Sequence, residues 1–304
     1  MISVILQMAG TIALGQIWRH VRLGGWTADG ARGALTSSVY YLFLPALVFS
    51  VLWRAPLGAD TLRIAGTAAV AVITSMALMA LAGRFMRISR AQYGALLLAA
   101  SFPNATYMGL PLLGSLFGDD GRAVAIQYDL FACTPLLLSV GILLAARFGS
   151  SDEEIHPLKT LLKVPPLWAA VAGAGLNLAG VGQPDWAAEW LDRIGAAVVP
   201  VMLVALGMSL RLETLTGRQL ATVSPALLIQ LLWMPAVAIL FALAVGTGGQ
   251  TLTAVVLEAA MPTMVLGLVI CDRFGLDTSL YATTASASTL LALLTLPFWH
   301  GLAV

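Results

Sequence analysis

Long apolar runs, separated by short polar intervals, recur along the whole chain. A helix that crosses the hydrocarbon core of a bilayer needs about 20 mainly apolar residues. On that criterion ten spans are predicted: 2–18, 34–53, 62–83, 91–117 and 123–146, then 165–181, 194–210, 220–245, 251–271 and 279–299. Two of them are interrupted. The fourth carries Ser101-Phe-Pro-Asn-Ala-Thr-Tyr-Met-Gly-Leu-Pro-Leu-Leu113, and the ninth carries Glu258-Ala-Ala-Met-Pro-Thr263. Pro103 cannot donate to the carbonyl of Ala99, Pro111 to that of Tyr107, or Pro262 to that of Glu258. Freed backbone groups in hydrocarbon need other partners, so broken helices persist only inside protein or beside a watery cavity. Paired interruptions in the two halves of a chain point to a transporter's binding site.

Composition agrees with the pattern. Hydrophobic residues make up 59% of 304 positions and charged residues 10%, where a soluble domain carries about a quarter; the mean hydropathy is +0.90. The chain reads as an all-α integral membrane protein. A net charge of +1 argues against nucleic acid or another polyanion as partner. Cys133 and Cys271 both fall within spans, which argues against a disulfide framework. The first apolar segment lacks a basic leader and a small-residue cleavage site, so it is expected to stay as a helix.

Lys and Arg concentrate on the cytoplasmic side of membrane proteins. With the N-terminus outside, inside loops hold Arg19, Arg22, Arg32, Arg84, Arg87, Arg90, Arg147, Lys159, Lys163, Arg211, Arg218 and Arg273, and outside loops hold Arg54, Arg63, Arg122 and Arg193. That split is 12 against 4 of the 16 present, so both termini are expected on the non-cytoplasmic side. The longest polar interval, 148–163, contains Ser150, Ser151, Asp152, Glu153, Glu154 and His156 and divides the spans five and five. An odd number per half puts the halves in opposite orientations, as in an inverted repeat. The predicted organisation is a first repeat over 1–147, a short cytoplasmic linker over 148–163 and a second repeat over 164–304. Ala95–Pro103 aligns with Ala254–Pro262, and both runs continue to a Phe-Gly pair, Phe117-Gly118 and Phe274-Gly275. Phe43-Leu-Pro45 and Val199-Pro200 match more loosely, and Pro45 and Pro200 are expected to kink their helices.

Only Asp129 and Glu258 are formally charged well within predicted spans. An acid at mid-bilayer costs about 2.5–3.5 kcal/mol on insertion scales, so such residues usually face a cavity or a partner and mark ion paths. Glu258 lies four residues before Pro262, so its carboxylate and freed carbonyl together suit a proton or a cation such as Na⁺. The competing reading is a protonated Glu that joins two helices. Asn104 follows Pro103 at the break, with Thr106 two residues on, and N–H groups at a half-helix start favour anions. The competing reading is an Asn that satisfies freed carbonyls. Thr263 holds the matching place after Pro262. Gln127, Gln7 and Gln16 are weaker candidates, more often interhelical hydrogen bonds than ligands.

Enzyme readings fare badly. His20, His156 and His300 fall in loops or at the C-terminal end, so no intramembrane Ser–His pair or zinc helix can be built. There is no phosphate-binding G-x-x-x-x-G-K-[ST] loop, and only one of the two buried acids is an Asp.

Pro103-Asn-Ala-Thr-Tyr-Met-Gly-Leu-Pro-Leu-Leu113 closely resembles the proline-crossover motif of the auxin efflux carrier family, which includes plant auxin carriers and many bacterial members. Glu258-Ala-Ala-Met-Pro262 is similar to that family's second crossover. Tyr41–Phe49, Pro165-Pro-Leu167 and Pro200–Gly207 are similar to its second, sixth and seventh helices. The resemblance spans nearly the whole chain and implies ten helices in two inverted five-helix repeats, with helices 4 and 9 broken and crossing at mid-membrane. It implies a scaffold domain and a transport domain, each built from both repeats, and an organic-anion substrate whose carboxylate meets the crossover at Asn104. It also implies a homodimer. The chain differs from plant carriers in lacking their long central cytoplasmic domain, in carrying Glu258 where they commonly have an uncharged amide, and in Thr263 replacing a larger polar residue. These differences point away from auxin and toward cation coupling.

The expected protein is therefore a secondary transporter of the bacterial cytoplasmic membrane, moving a small organic anion by alternating access. Asn104, Thr106, Pro103, Pro262 and Thr263 form its expected substrate site. Glu258 and Asp129 carry H⁺ or Na⁺, and no other cofactor is expected. Two alternatives stand beside it: an uncoupled facilitative carrier, and a non-transporting receptor or assembly subunit on the same scaffold.

Overall fold

The computed structural model describes residues 1–21, 23–150 and 157–304. Arg22 and, in the predicted linker, Ser151, Asp152, Glu153, Glu154 and His156 lie outside the described residues. Everything described is helical or loop, without a strand. The helices are α1 (Ile2–Val21), α2 (Ala28–Arg54), α3 (Ala59–Gly83), α4 (Arg90–Ser101), α5 (Ala105–Phe148), α6 (Pro157–Leu161), α7 (Pro165–Leu178), α8 (Asp185–Gly195), α9 (Val198–Ser209), α10 (Gly217–Ala244), α11 (Gly249–Ala259), α12 (Leu266–Phe274) and α13 (Thr278–Ala303). Six segments are long and apolar enough to cross a membrane: α2, α3, α5, α10, α13 and the stretch Asp185–Thr214 that includes α8 and α9. The chain is thus multi-pass.

Several boundaries move for local reasons. The second predicted span begins early, at Ala28, because the Thr27 side chain accepts from the Gly30 N–H and caps the helix. Such a cap contributes about 1 kcal/mol. His20, expected in a loop, lies in the last turn of α1. The fourth span divides into α4 and the first part of α5, and α5 bends at Gly118, whose φ of 62° suits a glycine.

Prolines are accommodated by widening the helix. Pro45, Pro111, Pro135 and Pro235 each lie two residues after a five-residue π-helical segment: Val39–Phe43, Ala105–Gly109, Asp129–Cys133 and Ile229–Trp233. In each case the residue before the proline donates five residues back, Leu44 to Val39 and Met234 to Ile229 among them. A wider turn relieves the clash of the proline ring with the preceding carbonyls. The carbonyl of Leu231, which Pro235 cannot reach, accepts from the Trp299 indole at 2.8 Å. Pro200, expected as a kink, instead occupies the first turn of α9, where its missing N–H costs nothing.

The helices sort by packing. α1, α2, α7, α8 and α9 lie on one another, and α3, α4, α10, α11 and α13 on one another, with α5 against α3 and α11. α1 and α9 touch backbone to backbone: a Cβ on Gly15 would come 2.9 Å from the Cα of Gly207. Small residues permit such approach in membranes, where dispersion contacts replace the hydrophobic effect. Gln16 reinforces the crossing, its amide donating to the carbonyls of Gly207 and Leu210.

Candidate functional site

The two interrupted segments meet. Pro103 and Thr263 form an isolated antiparallel bridge. It is flanked by two hydrogen bonds, Asn104 N–H to the Pro262 carbonyl at 2.7 Å and Met264 N–H to the Phe102 carbonyl at 3.1 Å. This pattern surrounds a non-hydrogen-bonded pair, so the missing N–H of Pro103 leaves no gap in the ladder. The freed carbonyl of Ala99 accepts from the Thr263 hydroxyl at 2.8 Å. Thr263 N–H donates to Ser288 Oγ, Gln230 Nε2 to the Met261 carbonyl, and the Tyr281 hydroxyl to the Met264 carbonyl.

One expectation is corrected. The carbonyl of Glu258 is not left open by Pro262, because the chain turns tightly there and Met261 N–H donates to it at 3.2 Å. Glu258 therefore offers its carboxyl group and not its carbonyl. That carboxyl is 0% exposed, and neither oxygen has a donor among the described residues. It lies against Gly109 on α5: a Cβ built there would come 2.6 Å from the carboxyl carbon. Any larger residue at 109 would push the Glu258 carboxyl from this position, a relationship the residues alone did not reveal.

Asn104 and Thr106 open onto a cavity of about 520 Å³ that Asp129, Tyr40, Lys163 and Arg273 also line. Asp129 is 7% exposed and accepts from Thr106 and, at 3.0 Å, from Thr134. It thus joins the first crossover directly. Asn104 is 1% exposed, and its side-chain nitrogen has no acceptor among the described residues. Pro103, Pro262, Thr263 and Glu258 do not line this cavity. The structure so brings together Asn104, Thr106 and Asp129 on one side, and holds Thr263 within the crossover.

Of the weaker candidates, Gln16 makes its interhelical bonds, Gln7 is exposed, and Gln127 is buried in the wall of a second cavity. Both cysteines are buried free thiols. Among the described residues no three His, Cys, Asp or Glu side chains gather. Gln230 and Ser288, which hold the crossover, were missed by sequence reasoning. An amide inside an apolar run was the available signal for Gln230.

The sequence model of a membrane transport protein family matches residues 12–300. An uncharacterized transporter of Methanothermobacter thermautotrophicus is 28% identical over 302 residues, covering 98% of this chain and 96% of that protein. One from Methanocaldococcus jannaschii is 24% identical over 273 residues, 87% of each chain. The uncharacterized transporter YfdV of Escherichia coli is 25% identical over 223 residues, 71% of this chain and 70% of its own length. With the motif at Pro103–Leu113 and a match over most of its length, the chain belongs to the membrane transport protein family of the auxin efflux carriers.

Proposed function

We propose that this protein is a secondary transporter that moves a small organic anion by alternating access and couples the movement to H⁺ or Na⁺. The observation that carries the reading is the meeting of two proline-broken segments at Pro103 and Thr263, beside a large cavity and a buried carboxyl group. Asn104, Thr106 and nearby backbone N–H groups bind the substrate carboxylate. Lys163 and Arg273 line the cavity together with Asp129, and basic side chains in its wall suit an anionic substrate. Thr263, Pro103 and Pro262 shape the substrate site from within by holding the crossover. Glu258, with Asp129, carries the coupling cation.

The ten spans form two inverted five-helix repeats, with 148–163 as cytoplasmic linker and both termini on the far side of a bacterial cytoplasmic membrane. The group of α1, α2, α7, α8 and α9 acts as scaffold, and that of α3, α4, α10, α11 and α13 as the moving part. The protein works as a homodimer.

An uncoupled carrier is the second reading, favoured by the position of Glu258 outside the wall of the large cavity. Proteoliposomes decide between them. Glu258→Gln is expected to lose gradient-driven accumulation while keeping substrate exchange. Accumulation by the variant at the wild-type level would sink the coupling role.

A further inference from the structure

A second cavity, of about 240 Å³, is enclosed by the beginnings of α3 and α11 and by the part of α5 beyond its bend. It shares no lining residue with the large cavity. The two differ in their charged lining. Lys163, Arg273 and Asp129 line the large one, whereas Asp60 and Asp120 are the charged residues among the described ones lining the small one. Asp60, in the first turn of α3, and Asp120, just past the bend of α5, line the small cavity, and Lys163 and Arg273 line the large one; the charge pattern of the sequence assigns these two pairs to opposite faces of the membrane.

The small cavity and Glu258 share one helix face. Gln250, Ala254 and Glu258 follow at intervals of four on α11, so they lie one above the other. Gln250 and Ala254 line the cavity, and Glu258 is the next position in, about 6 Å further along the axis at 1.5 Å per residue. From α5, Gln127 lines the same wall. It is 3% exposed, and its side-chain oxygen has no donor among the described residues. An amide oxygen buried without a donor is costly unless a cation, a proton carrier or water visits it.

We propose that this cavity is the route by which a monovalent cation, H⁺ or Na⁺, reaches Glu258 from the membrane face opposite the large cavity. The inference rests on the coupling role of Glu258 and adds where the cation comes from. Asp120 draws cations to the cavity, with Asp60 beside it held by Arg63 at 2.8 Å; the Gln127 oxygen and Thr251 hydroxyl line the passage, and the Glu258 carboxyl ends it. Anion and cation then need not share a vestibule, where each would meet charges arranged for the other.

The test uses single cysteines in a Cys133→Ser/Cys271→Ser background that retains uptake. In sealed, oriented proteoliposomes, Thr251→Cys is expected to react at least tenfold faster with a cationic thiosulfonate than with an anionic one, and only from the face opposite the large cavity. Ala254→Cys, deeper in, is probed with Ag⁺, a thiol-seeking monovalent cation, and its block of accumulation is expected from that same face. Accumulation driven by a sodium gradient at constant pH, or by a pH gradient in sodium-free buffer, tells which cation uses the route. If Glu258→Gln abolishes coupling while positions 251 and 254 react only from the large-cavity face, or without charge preference, the route is overturned and the coupling role stands. If Glu258→Gln accumulates substrate normally, the coupling role falls and the route with it.

Discussion

The hydroxyl of Thr263 donates to the carbonyl of Ala99 at 2.8 Å, across the two halves of the chain. Ala99 is the carbonyl that Pro103 leaves without its helical donor, so the break in one segment is repaired by the residue after the proline of the other. The reciprocal bond is absent. The Asn104 amide does not cap Glu258, whose carbonyl takes Met261 N–H instead. The crossover is thus structurally satisfied on one side, and on the other keeps an amide group turned to the cavity.

Removing the Thr263 hydroxyl would strand a buried carbonyl, which costs about 1–3 kcal/mol. Thr263→Val is expected to lower the thermal unfolding midpoint in detergent, and Thr263→Ser to restore most of it. An unchanged midpoint for the valine variant would show that Ala99 finds another donor.

The Glu258 carboxyl fills the space that a side chain at Gly109 would take. Gly109→Ala is expected to destabilise the wild type by about 1–3 kcal/mol through overpacking and to abolish coupled uptake. In a Glu258→Ala background the same methyl group has room, and its cost should fall to near zero. A double-mutant cycle on unfolding free energies reads this directly. Additive effects would contradict the contact.

Asp129 accepts from both Thr106 and Thr134. A hydrogen bond to a charged group contributes about 1.5–3 kcal/mol. Thr106→Val is expected to weaken carboxylate binding about tenfold, since it removes a cavity hydroxyl and frees the Asp129 charge beside the anion. Adding Asp129→Asn should recover part of that affinity. Ligand-induced thermal shifts measure both, and failure of the second substitution to help would place the repulsion elsewhere.

Arg54, at the end of α2, donates to Asp192 at 2.8 and 3.2 Å and to Ser50, and reaches Asp119 on α5 at 3.8 Å. The first contacts lie within one group of helices and the last joins that group to α5. Arg54→Ala is expected to lower the unfolding midpoint more than Asp119→Ala, because Asp119 lies 3.8 Å from Arg54 and pairs more closely with Arg122 at 2.6 Å, and exposed ion pairs contribute about 0–1 kcal/mol. Asp119→Ala should act on transport rate instead, by less than about fivefold, which is what that energy allows. Equal losses of stability would reverse this assignment.

Much of the crossover geometry was legible in the residues. Pro103 and Pro262 interrupt apolar runs, and Asn104, Asp129 and Glu258 stand out because hydrocarbon penalises polar groups wherever they lie in a span. Gln230 should have been visible by the same rule. Gly109 was not, because a glycine in a membrane helix has many uses and only its neighbour reveals which one applies. The carbonyl of Glu258 was misjudged because proline removes a donor at a known position, but the turn that follows can supply another.

By itself the sequence determined a multi-pass helical membrane protein, its paired breaks and the acids that must be sheltered, since these follow from local composition and backbone chemistry. Only the tertiary structure decided that Thr263 serves Ala99, that Asn104, Thr106 and Asp129 share one cavity, and that Glu258 lies outside it against Gly109. Those are pairings between segments more than a hundred residues apart or on different helix faces. They depend on how helices cross, and apolar periodicity carries no record of that.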